Sequence, residues 1–287
     1  KGHRRMSSPH PPRVLVLADR SRQDVASVLQ DLEADLAKWA STVQHENSTT
    51  DATLPIDIDL AVVVGGDGAM ISQARRLVGL DIPLVGINCG RLGFLAPFDV
   101  DSLRACANEV FSNAPPIRHH MLMEVLHESA GNTQTSIAVN DAVVAAGPPY
   151  RMIELALRIG GVEGPHMRGD GLIVASPTGS TAHNLSAGGP IIGPGVDALV
   201  VSPLAPQSLA FRPIVMDAEQ GVELEVVRGN EGTTLVIDGQ QLSPLAQGDR
   251  IVVRRHHQTI PLVTRADEPF WRILLDRMRW AVPPVLR

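Results

Sequence analysis

The stretch Leu60-Ala-Val-Val-Val-Gly-Gly-Asp-Gly68 decides the fold. A short unbroken apolar run reads as a strand buried on both faces, the mark of a parallel sheet, and predicts that strand over residues 58–64. Glycines stand directly at its end and Ile71, Ala74 and Leu77 follow at helical spacing, so strand passes through a tight turn into helix. The same order recurs on both sides. Upstream, Val14-Leu-Val-Leu17 predicts a strand, and Val25, Val28, Leu29, Leu32, Leu36 and Trp39 predict a helix; the polar residues 41–53 read as a loop. Downstream, Leu84-Val-Gly-Ile87 predicts a third strand ending in a second glycine turn, Asn88-Cys-Gly-Arg-Leu-Gly-Phe94. Strands alternating with helices predict an open, Rossmann-like α/β domain over residues 13–114, with ligands beyond the carboxyl ends of its strands.

After Pro115-Pro116 the pattern changes. Runs rich in Val, Ile and Leu recur at 121–126, 137–144, 153–159, 172–175, 198–201, 222–227, 233–237 and 250–253, with turn signals between them. They predict a mostly antiparallel β-sandwich domain over residues 115–266. In residues 267–287, Phe270, Ile273, Leu274, Arg277, Met278 and Trp280 predict a final helix with one apolar face.

The chain of 287 residues is long enough for about two domains. Its formal charge is −6 and neither sign gathers into blocks, which argues against a basic surface for nucleic acid or anionic membrane. Only two of the 25 basic residues, Lys1 and Lys38, are lysine. Cys89 and Cys106 form neither a CxxC pair nor a zinc spacing and read as reduced, buried thiols of a cytoplasmic protein. No apolar run approaches the ~20 residues of a membrane span, and the lead KGHRRMSSPHPPR has no apolar core of a signal peptide. An unexported protein is therefore expected, with Met6 a candidate natural start. The pairs His119-His120 and His256-His257 point to opposite faces of a strand, so a shared metal is not expected and both read as solvated surface. Asp19, Asp57 and Asp59 read as loop or cap residues.

Glycines at strand ends suit phosphates, but the common phosphate loops fail. Neither lysine follows a Walker glycine, no HRD or DFG is present, and Gly66 and Gly68 lack the closing glycine of a dinucleotide fingerprint. SxxK, HExxH and GxSxG are absent too. What remains is a carboxylate, Asp67, held among Gly65, Gly66 and Gly68 at the end of a buried strand. Missing side chains admit a phosphoryl group to the backbone, the helix N-terminus adds N–H donors, and Asp67 could take a proton from an attacking hydroxyl or hold a divalent cation. The same four residues also read as a plain turn with Asp67 capping the helix. Further on, residues 168–190 gather Ser176, Thr178, Ser180, Thr181 and Ser186, hydroxyls suited to a sugar or purine edge, although Pro-Thr-Gly-Ser-Thr also reads as a turn with Ser180 a helix cap.

Six blocks in order, Gly65-Gly-Asp-Gly68, Asn88 to Leu95, Asn140-Asp141, Arg168 to Ala182, Ser202 to Pro213 and Asp238-Gly-Gln240, resemble the NAD kinase family from about Val14 to the final helix. The resemblance implies transfer of the γ-phosphoryl of ATP to the 2′-hydroxyl of the adenosine ribose of NAD, giving NADP, with a divalent metal, usually Mg²⁺. It implies an α/β domain, a β domain, and a final helix returning to the first. Carried over residue by residue, Asp67 is the general base with Gly68 beside it; Asn140 and Asp141 contact the adenosine side of NAD. Arg151 also matches, Arg168 and Asp170 fall near the nicotinamide half, Thr181, Ala182, His183 and Ser186 surround the adenine, and Gln240 is the glutamine of the last block. No residue is assigned as a metal ligand. The family also implies a homodimer or homotetramer whose partner completes the NAD site, and a site between Gly65 to Gly68 and Asn140 to Ser186. The chain departs from the family pattern at Ala69, where Thr is usual, at Asp141, where Glu is usual, and at His183, where Tyr is usual.

Two other functions share parts of this pattern. A lipid or sugar kinase would share Gly65 to Gly68, but residues 168–190 and Asn140-Asp141 suit a dinucleotide and show no apolar cleft for an acyl chain. A catalytically silent NAD(P)-binding regulator would explain Ala69 and His183, but not the retention of Asp67 among its glycines.

Overall fold

The computed structural model describes residues 10–49, 57–90, 93–265 and 269–278. The chain divides into two compact units, residues 1–119 with 260–287, and residues 120–259. In the first, β1 (Arg13–Ala18), α1 (Gln23–Trp39), β2 (Thr42–Asn47), β3 (Leu60–Val64), α2 (Asp67–Arg76), β4 (Leu84–Ile87) and α3 (Val100–Val110) build a parallel sheet in the order β2-β1-β3-β4. β3 is buried at every residue, as its unbroken apolar run requires. α1 lays Val25, Leu29, Leu32 and Leu36 into the core shared with Val16, Val62 and Phe98. At the amino ends of β1 and β3, the Arg13 guanidinium donates to both carboxylate oxygens of Asp59 at 2.9 Å, so Asp59 is a cross-strand ion-pair partner rather than only a loop residue.

The stretch predicted as a loop over 41–53 holds β2, which pairs with β1 from Arg13↔Thr42 to Ala18↔Asn47. Residues 50–53 lie outside the described residues. As an edge strand with mostly exposed side chains, β2 carries no apolar alternation. The sequence reading also passed over α3, although Asp99 and Ser102 form its capping box: the Ser102 N–H donates to Asp99 Oδ1 at 2.8 Å and the Asp99 N–H to Ser102 Oγ at 2.9 Å.

In the second unit, β5 (Ile117–Ser129) to β6 (Asn132–Ala138) is a hairpin, followed by β7 (Asp141–Ala145), β8 (Ile153–Ile159), β9 (Val162–Gly169) and β10 (Gly171–Ala175). A short helix α4 (His183–Ser186) precedes β11 (Ala198–Leu204), β12 (Ile214–Asp217), β13 (Val222–Arg228), β14 (Thr234–Ile237), β15 (Gln241–Pro244) and β16 (Arg250–Val263). One antiparallel sheet runs β12-β11-β10-β7-β14-β15; the other runs β16-β13-β8-β9, with β5 on β16. Their facing residues form one core, with Leu172, Val174 and Leu235 from the first and Leu155, Leu224 and Val253 from the second. The end of β16 belongs to the first unit, where Leu262 pairs parallel with Leu84. There α5 (Phe270–Met278) buries Ile273 and Leu274, and the Phe270 ring lies 6.3 Å from that of Phe94. Trp280, placed in the predicted helix, lies outside the described residues.

Three expectations change. The run 137–144 is not one strand: β6 ends at Ala138 and β7 starts at Asp141 in the other sheet, because a carboxylate takes the backbone N–H groups at the break. The run 250–253 extends through Arg254 to Val263 as one long strand. Finally, His120 and His256 are buried, and His120 Nδ1 lies 3.0 Å from Thr178 Oγ1; only His119 and His257 face water. Strand alternation sends the His120 ring inward and leaves His119 outside, whereas the His256 and His257 rings stack with centroids 4.3 Å apart and so do not point to opposite faces. Among the described residues no helix is long and apolar enough to cross a membrane.

Candidate functional site

At the carboxyl end of β3, Gly65 and Gly66 turn the chain into α2, with Asp67 in its first turn. Asp67 does not cap this helix; Gly66 is the N-cap and no side chain caps it. Instead the carboxylate reaches the second glycine turn, accepting the N–H of Phe94 on Oδ2 at 2.8 Å and those of Leu95 and Ala96 on Oδ1 at 2.9 and 3.3 Å. Three donors occupy three of the roughly four lone-pair directions of a carboxylate, which fixes its orientation at the positive end of α2. Gly93 makes this approach possible, since a Cβ there would stand 1.9 Å from Asp67 Oδ1. Nearby Cys89 is half-buried, and burial pushes its thiol up to about 11, as an unreactive core thiol requires.

In the second unit the candidate residues form two sets. Asn140 precedes β7 and Asp141 begins it, where Asp141 pairs with Ala175 at the end of β10 and Ile237 pairs with Ala142. Asp238 lies under them. It is a buried residue with φ +52° in the turn after β14, and its carboxylate accepts the N–H groups of Val139, Asn140 and Asp141 at 2.7 to 3.2 Å, while its own N–H donates to the Asp141 carbonyl at 2.9 Å. From the other side Ser176 Oγ donates to the Val139 carbonyl at 2.6 Å and accepts the Gly179 N–H at 3.1 Å. A Cβ on Gly179 would stand 2.0 Å from the Asn140 oxygen. Thr181, Ala182, His183, Ser186 and Gln240 emerge at this same end, His183, Ser186 and Gln240 exposed. Asp141 is 4 % exposed; burial, reinforced by the Asp238 charge, raises its carboxyl to about 7.

Not every hydroxyl is available to a ligand. Ser176 and Ser180 are fully buried and hydrogen-bonded to backbone, Ser180 Oγ donating to the Pro177 carbonyl at 2.6 Å and accepting the Ile192 N–H at 2.9 Å; Ser180 therefore braces the loop and does not cap a helix. Asn184, not singled out from sequence, ties the same loop down, donating to the Ser180 and Pro190 carbonyls at 3.0 Å and accepting from Ser202 Oγ at 2.7 Å.

The second set stands at the opposite end of β10. Gly171, at its start, pairs with Ala145, and the Asp170 carbonyl accepts the Ala146 N–H at 2.8 Å. Arg151 follows the turn after Ala146, its carbonyl accepting from Asn230 Nδ2 at 3.0 Å. Arg168 lies on β9 opposite Glu154, whose Oε2 accepts its Nε–H at 2.8 Å, while His166 Nδ1 lies 3.0 Å from Glu154 Oε1. His166 and Arg168 together hold the Glu154 carboxyl below the usual range. Five residues of β10, about 3.3 Å each, separate Arg151, Arg168 and Asp170 from Asn140 and Gln240 by roughly 16 Å.

Models of the ATP-NAD kinase N-terminal and C-terminal domains match residues 14–114 and 139–265. An NAD kinase of Rhodopirellula baltica is 35% identical over 278 residues, 96% of this chain and 89% of that protein. One of Heliobacterium modesticaldum is 38% identical over 223 residues, 77% of this chain and 79% of that protein. Among solved structures, an Archaeoglobus fulgidus NAD kinase in complex with ATP matches with TM-score 0.72 and 26% identity over 93% of this chain and 98% of that one. Yeast NADH kinase complexed with NADH shares the fold, with TM-score 0.84 and 21% identity over 96% and 90%.

Proposed function

The chain belongs to the NAD kinase family, and we infer on that premise which of its residues carry each part of the reaction. The protein is a kinase that phosphorylates NAD with ATP, at the 2′-hydroxyl of the adenosine ribose, to give NADP and ADP. The observation that carries the assignment of the base is Asp67, whose carboxylate is fixed by three N–H groups at the carboxyl end of β3, where open α/β sheets bind their ligands. Asp67 takes the proton of the attacking hydroxyl, and the backbone at Gly65, Gly66 and Gly68 with the N-terminus of α2 receives phosphate. Neither lysine of the chain has a phosphate-loop context, so backbone N–H groups and arginine meet the triphosphate. The family match disfavours a lipid or sugar kinase and a silent regulator.

Asn140 and Asp141 take the adenosine side of NAD, Thr181, Ala182, His183 and Ser186 its adenine, and Gln240 lies alongside. Arg151, Arg168 and Asp170 take the nicotinamide half. The strand length between these sets supports a homodimer or homotetramer in which the second set reaches the NAD of a neighbouring copy. Action in the cytoplasm belongs to the same reading, because Cys89 and Cys106 form neither a CxxC pair nor a zinc spacing.

No group of three or more His, Cys, Asp or Glu among the described residues gathers to ligate an ion. A cation of the Mg²⁺ class would be carried mainly on the oxygens of the triphosphate. When bound, such a cation neutralises charge on the phosphate oxygens. A coupled assay with NAD and Mg·ATP tests the whole reading: formation of NADP supports it, and its absence with well-folded protein rejects it.

A further inference from the structure

We propose that Glu154 is a positioning residue of the NAD site, which fixes the direction in which Arg168 offers its guanidinium; this rests on the assignment of Arg168 to NAD above. On β8 the residues Ile153, Leu155 and Leu157 point into the core, so Glu154 and Ala156 share the outer face. Across the ladder Glu154 pairs with Arg168 and Ala156 with His166, which puts Arg168 opposite the carboxylate and His166 on its diagonal. The burial is uneven. The Glu154 side chain is 14 % exposed, whereas Arg168 and His166 are 59 % and 57 % exposed. A carboxylate seated low on the sheet thus holds two side chains standing in water, His166 on Oε1 and Arg168 on Oε2.

The grip on Arg168 is side-on. Glu154 takes Nε, and the two terminal nitrogens make no other hydrogen bond among the described residues. A bond whose purpose was stability would more often be the bidentate fork, and an exposed pair contributes little to stability. Held through Nε, the planar guanidinium keeps its outer edge for an incoming phosphate or amide oxygen, with its torsions already restricted. Ordering a long side chain on binding weakens affinity, so removing the anchor should cost about three- to ten-fold in KM for NAD. His166 fixes the rotation of the carboxylate by occupying the other oxygen.

The test compares Glu154→Ala, Glu154→Gln, Arg168→Ala and the double variant, with KM for NAD and kcat measured at saturating Mg·ATP. The proposal expects Glu154→Ala to raise KM about three- to ten-fold with kcat within two-fold, and Glu154→Gln, which keeps an acceptor for Nε, to recover much of the loss. The double variant should be no worse than Arg168→Ala, because the anchor acts only through the arginine. Multiplying effects in the double variant, an unchanged KM in Glu154→Ala beside a raised KM in Arg168→Ala, or a loss confined to kcat would each overturn it. An unchanged KM in Arg168→Ala would instead remove the assignment of Arg168 to NAD, and the role of Glu154 with it.

Discussion

Gly93 and Asp67 compete for one space: a Cβ on Gly93 would stand 1.9 Å from Asp67 Oδ1. The glycine therefore sets where the carboxylate rests, although the two stand 26 positions apart in sequence. Gly93→Ala should push Asp67 away from the N–H groups of Phe94 and Leu95 and lower kcat toward the level of Asp67→Asn. For the loss of a general base that level is about 10²–10⁴-fold down. NAD binding, followed by calorimetry, should persist in Asp67→Asn. Full turnover in Asp67→Asn would remove Asp67 as the base.

Ser176 joins two buried backbone groups, the Val139 carbonyl and the Gly179 N–H. Ser176→Ala leaves both without this partner, which should lower the unfolding free energy by about 1–3 kcal/mol and raise KM for NAD, since Asn140 follows Val139 directly. Denaturant titration and steady-state kinetics on one preparation check both.

Asp141 should make stability depend on pH. Its folded value of about 7 lies above the ordinary aspartate value of about 3.9, so the unfolded chain ionises first. The stabilising contribution of the protonated carboxyl is complete below the unfolded value and is lost as pH rises through the folded one. Asp141→Asn, neutral throughout, should gain up to about 4 kcal/mol over the native protein at pH 8 and little at pH 4. Thermal unfolding at the two pH values measures the difference. An equal change at both would show that Asp141 ionises normally.

The two sets of residues proposed for NAD predict complementation between impaired variants. Arg168→Ala and Asn140→Ala, each weak alone, should recover activity on mixing under conditions that exchange subunits, because one site of a mixed dimer is intact. Random exchange would restore about a quarter of the native sites. No recovery despite demonstrated exchange would mean that each protomer uses its own Arg168.

Strands buried on both faces were legible because burial demands an unbroken apolar run, as in β3 and β4, and β8 was legible from the alternation of its one buried face. The strands missed, β2, β9, β12 and β15, all lie at sheet edges, where one side of the ladder and most side chains face water and composition carries no period. Asp67 stood out because its neighbours are glycines. The partners that hold the candidate residues, Asp238 for Asn140, Glu154 for Arg168 and Asn184 for the loop at Ser180, are ordinary polar residues in sequence. Only strand pairing brings them to their places.

The contact of Asp238 with Val139 spans 99 positions of chain. A contact that remote is slow to form, because a long loop must close before it rewards the closure. The proposed adenosine end of the NAD site should therefore be completed late in folding, after β7 and β10 have a third strand, β14, beside them. During synthesis the growing chain would carry Gly65, Gly66 and Gly68, proposed to receive phosphate, long before it could hold a dinucleotide. Capture of NAD should then report the arrival of residue 238, and a fragment stopped short of it should show none.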